Sequence, residues 1–106
     1  MELLLNTQAE RCRMEIYNEY LRKIPQLLTQ LEAVEKMYEK AVTEEQMLTR
    51  EPDDHSRELY AARLLSTKTQ CLTRCADLRQ QLRLIFSLKQ QLEAESPALR
   101  ALIAGE

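Results

Sequence analysis

From Ile24 onward the chain repeats apolar residues at alternating intervals of three and four. In the first half Ile24, Leu27, Leu31, Val34, Tyr38, Ala41 and Leu48 follow this spacing, with one interruption at Glu45. In the second half Leu64, Cys71, Leu78, Ile85 and Leu92 recur every seven residues, joined by Leu65, Leu72, Cys75, Leu82 and Phe86. A 3-4 spacing places residues on one face of an α-helix, so the pattern predicts two long amphipathic helices. The second stripe is wider than a two-stranded seam requires, and two helices alone do not cover it.

Punctuation sets the boundaries. Thr7 and Glu10 have the spacing of a capping box, which puts the start of the first helix near residue 7, with the apolar run before it able to extend it. The next break is at Pro52, with Asp53 or Asp54 available to cap the second helix, giving helices over about 7–50 and 54–95 and a loop at 51–54. Ser96-Pro97 is a cap followed by proline at a first helical position, and it opens a short third helix over 97–104, closed by Gly105. Pro25 has no turn-forming neighbours and is read as a kink inside the first helix; a loop there would make a three-helix bundle instead.

Two helices of nearly equal length, each roughly 60–65 Å at 1.5 Å per residue, joined by a short loop make an antiparallel hairpin. The expected fold is therefore all-α: one domain spanning 1–106, a coiled-coil-like hairpin with a short C-terminal helix, pairing with a second copy as a four-helix bundle. Composition agrees. The 106 residues include one glycine and no tryptophan, and 44% are hydrophobic against 30% charged. Strands need turns, and turns usually need glycine or asparagine.

No apolar run approaches the roughly 18 residues a bilayer span needs, and the first residues carry an acid where a secretory signal carries bases. The expected location is cytoplasmic, without membrane insertion. Residues 26–54 hold eight acids and three bases, whereas residues 55–92 hold seven bases and two acids. The basic second helix thus has a counter-charge within its own chain. With a net charge of −2, this argues against a nucleic-acid partner.

Candidate chemistry is sparse. Cys71 and Cys75 lie one helical turn apart and make two candidate zinc ligands, but structural zinc takes four. Cys12 and His55 are the only other cysteine and histidine, and the hairpin separates both from that turn. Because Cys71 and Cys75 fall on the apolar stripe, they are expected to act as small core residues, with no metal and no cofactor. His55, in an acidic loop, lacks a neighbouring nucleophile and is expected to be solvated. Tyr17, Tyr20, Tyr38 and Tyr60 lie on or beside the stripes, as core edge or interface, while Gln80, Gln81, Gln90 and Gln91 face water. No phosphate-cradling loop, metalloprotease helix or nucleophile elbow is present, so no enzyme is expected.

In the second helix Asp77-Leu78, Arg83, Ile85, Ser87-Leu88-Lys89, Leu92 and Pro97 resemble the end of the KxDL-motif proteins, small helical subunits of lysosome and vesicle positioning complexes. The resemblance covers about a fifth of the chain and departs from the motif at its lysine, which is Cys75 here. It implies a subunit of a multi-protein complex with coiled-coil partners. Periodicity leads to the same class: a non-enzymatic adaptor forming a homodimer or hetero-oligomer through amphipathic helices. The helix-packing or partner-interface positions are Ile24, Leu27, Leu31, Val34, Tyr38, Leu64, Cys71, Cys75, Leu78, Leu82, Ile85, Phe86 and Leu92. The alternative is a bacterial secretion chaperone that holds a helical export substrate.

Overall fold

The computed structural model describes residues 2–48 and 55–105, with side chains from residue 8. Three helices account for the fold: α1 (Glu2–Leu48), α2 (His55–Glu95) and α3 (Pro97–Ile103), with no strand among the described residues. The two long helices pack against each other as the spacing predicts.

Burial follows the 3-4 register without a skip. On α1 the register runs Glu10, Arg13, Tyr17, Tyr20, Ile24, Leu27, Leu31, Val34, Tyr38, Ala41, Glu45 and Leu48, and every one is buried or half-buried. On α2 it runs Arg57, Ala61, Leu64, Lys68, Cys71, Cys75, Leu78, Leu82, Ile85, Lys89 and Leu92, then passes through Ser96 to Leu99 of α3, again with none fully exposed. Leu78 and Ser96 are 0% exposed. Each leucine removed from water in this way contributes roughly 1.5–3 kcal/mol before the entropy of ordering is counted.

Pro25 lies within α1, which continues past it. The ring removes the amide that the Leu21 carbonyl would accept, but Ile24 and Leu27 on either side are seam residues, and Pro25 itself faces solvent. The chain forms two compact units, Met1–Leu27 with Gln81–Glu106, and Leu28–Gln80.

The start of the first helix differs from the expectation. Helix α1 is already helical at Glu2, so Thr7 is an interior residue and the capping box does not form the start. Glu10 instead accepts from Arg13 at 3.2 Å and from the Ser96 hydroxyl at 2.5 Å. Phe86 is 44% exposed: it stands one position past Ile85, outside the register that buries its neighbours. The Pro52 break with its Asp53 or Asp54 cap lies outside the described residues.

The third helix begins as expected. Ser96 is extended (φ −104°, ψ 114°), its hydroxyl accepts from the Leu99 amide at 3.2 Å, and Pro97 fills the first turn, where a missing amide costs nothing. Gly105, at φ +82°, supplies the left-handed residue just past the Ala104 cap.

Candidate protein-binding face

In the unit of Leu28–Gln80 the seam contains a charged layer. Glu45, which interrupts the apolar stripe of α1, meets Lys68, which interrupts that of α2, with Nζ 3.1 and 3.2 Å from the two carboxylate oxygens. Each interruption is the other's partner, so the layer fixes how far one helix slides along the other.

Beside this seam lies a second ordered set of side chains. On α1, Leu28, Glu35 and Val42 are seven residues apart; on α2, Leu65, Leu72 and Arg79 are likewise seven apart. Leu28, Leu65 and Leu72 are 48%, 59% and 55% exposed. The charged member of one row bonds the charged member of the other: Arg79 donates to Glu35 at 3.3 Å. Between the rows Tyr38, Glu39, Leu72 and Cys75 line a shallow cleft of about 210 Å³. A helix carrying both a filled seam and a second apolar row in the same phase has the sequence of a bundle helix with two neighbours.

The opposite flank of this unit is more polar. A furrow of about 330 Å³ is lined by Met37, Lys40, Ala41, Glu44, Tyr60, Arg63, Leu64 and Thr67. Here the Tyr60 phenol donates to Glu44 at 2.8 Å, and that bond pushes its proton affinity up. Arg74, farther along, donates to Asp77 at 3.0 Å and to Gln30 at 3.1 Å.

In the other unit, Tyr17 of α1 donates to Glu93 of α2 at 2.8 Å and Lys89 donates to the same oxygen at 2.5 Å, with its ammonium 5.6 Å from the centre of the Tyr17 ring. The Lys89 and Tyr17 hydrogen bonds hold the Glu93 carboxyl below its ordinary value. Burial, and then the bond to Glu93, raise Tyr17; the bond to Glu93 raises Lys89. The Tyr17–Glu93 bond ties α1 to α2.

Of the residues expected at the packing face, Leu27, Leu64, Cys71, Cys75, Leu78, Leu82 and Ile85 are buried, while Ile24, Leu31, Val34, Tyr38 and Leu92 are half-buried. Cys71 and Cys75 thus sit in the apolar seam. His55 is exposed as the first residue of α2, and no three His, Cys, Asp or Glu side chains among the described residues come together to hold a metal ion. Gln80, Gln90 and Gln91 face water as expected; Gln81 is half-buried. Sequence reasoning missed the row of Leu28 and Val42 and the ties of Tyr17 and Glu10. The seven-residue spacing from Leu28 and the opposite signs of Glu35 and Arg79 were the available signals.

No protein-family model matches the chain, and searches of curated proteins and of solved structures also find no match. Among the described residues no helix is long and apolar enough to cross a membrane.

Proposed function

We propose that the chain is a non-enzymatic assembly subunit, an adaptor that binds other helices through the face bearing Leu28, Leu65 and Leu72. One observation carries this reading: large aliphatic side chains stand exposed at seven-residue intervals directly beside a seam that is already filled. Ordered apolar surface outside a completed core is the mark of an association site. The likeness of residues 77–97 to the KxDL-motif subunits favours the same class, a member of a multi-protein complex.

The test is a comparison of partners recovered from cells with the parent chain and with a Leu65→Asp, Leu72→Asp variant. Both positions are solvent-exposed, so the hairpin is expected to remain helical. Partners that bind through this face disappear from the variant; an identical set from both chains would sink the reading.

A further inference from the structure

The two rows of the exposed face are complementary to themselves, and from this we infer that a second copy of the chain covers it, making an antiparallel four-helix dimer about a two-fold axis that runs along the helices. The inference rests on the assembly reading above and names its occupant. Each row has an apolar member on one side or both sides of a single charge, and the charges are opposite: Glu35 on α1 and Arg79 on α2, bonded at 3.3 Å and therefore level with each other. One heptad away from that pair, Val42 stands level with Leu72.

A two-fold axis parallel to the helices lays the α1 row of each copy against the α2 row of the other, antiparallel and at the same level. Val42 then meets Leu72 of the second copy, and Glu35 meets its Arg79. The four charges alternate in sign around the axis, and each gains a second opposite neighbour while being partly withdrawn from water. A two-fold perpendicular to the helices at the level of this pair sets Glu35 against its own copy, and like charges across an interface oppose association. The opposite flank, lined by Lys40, Glu44, Tyr60, Arg63 and Thr67, is the more polar of the two and its rows carry no leucines like Leu65 and Leu72. A foreign helix has to supply a charge of the correct sign at one particular level; a second copy has both charges in place.

The experiment is sedimentation equilibrium with circular dichroism over a dilution series of the full chain. The parent is expected at twice 12.4 kDa, and Leu65→Glu with Leu72→Glu is expected at 12.4 kDa with its helicity retained, a weakening on the order of a hundredfold or more in dissociation constant. Glu35→Arg and Arg79→Glu isolate the charge pairing. The first chain carries two arginines on the face and the second two glutamates, so each alone dimerises less well than the parent, and an equimolar mixture recovers the dimer. A parent that stays at 12.4 kDa at high concentration, a dimer indifferent to Leu65→Glu and Leu72→Glu, or a mixture no better associated than its components would overturn the inference. A monomeric parent whose cellular partners are nevertheless stripped by the aspartate variant would leave the assembly reading standing and remove the second copy as the occupant.

Discussion

At the scale of single residues, the polar side chains at seam positions are the informative ones. Ser96 has no exposure, yet both functions of its hydroxyl are used: it donates to Glu10 and accepts from the Leu99 amide. Glu93 collects a phenol and an ammonium on one oxygen. Because its carboxyl is held below the ordinary value near 4.5, its contribution to stability is complete above that value and is lost as pH falls through the lower, folded one. Tyr17 and Lys89 are raised, so their share is complete below about 10 and is lost as pH rises beyond it. Denaturant titrations of the parent and of Glu93→Gln are therefore expected to differ most between these limits, and the two curves should converge in acid. A constant gap down to about pH 2 would contradict the assignment.

At the scale of elements, each long helix owes its place to an uninterrupted register. The apolar part was legible in the sequence: Leu27, Leu64, Cys71, Leu78 and Ile85 could be read as one face because spacing alone determines a helical face. Polar members of the same register were not legible in that way. Glu45 looked like a break, Ser96 was read only as a helix cap, and Lys68 and Lys89 were not read as seam positions, because a charge at a seam position makes sense only when the opposing helix is aligned beside it. Phe86, one position past Ile85, is 44% exposed and stands outside the seam. The start of α1 was displaced by a local motif, Thr7 with Glu10, that the continuing helix overrode. Leu78 and Leu72 separate the two kinds of apolar position. Leu78→Ala should cost about 2–5 kcal/mol in urea unfolding, whereas Leu72→Ala should change monomer stability by about 0.5 kcal/mol or less. Equal losses at the two sites would mean that the seam is wrongly drawn.

At the scale of the molecule, the two units differ in how their polar groups are used. The unit of Met1–Leu27 and Gln81–Glu106 joins its helices through Tyr17, Glu93, Lys89, Glu10 and Ser96, and includes α3. The unit of Leu28–Gln80 has a charged layer, Glu45 with Lys68, and displays leucines outside its seam. Fold class was readable from composition and period; the exposed rows beside the seam were readable only as excess width, because their order depends on a pair of charges that the structure brings within 3.3 Å.

The three thiols give the chain an internal clock. Cys12 is exposed, whereas Cys71 and Cys75 are enclosed between the helices. An alkylating reagent therefore takes up one equivalent at once and the remaining two only as fast as the helices part. Leu78→Ala should accelerate that slow uptake by the factor its loss of stability implies, provided the helices reclose faster than the reagent reacts. Mass spectrometry of quenched samples would count the sites directly. Dimerisation on the neighbouring face should retard the same two thiols as protein concentration rises and leave Cys12 unchanged, so one reagent would time both the opening of a single hairpin and its engagement with another.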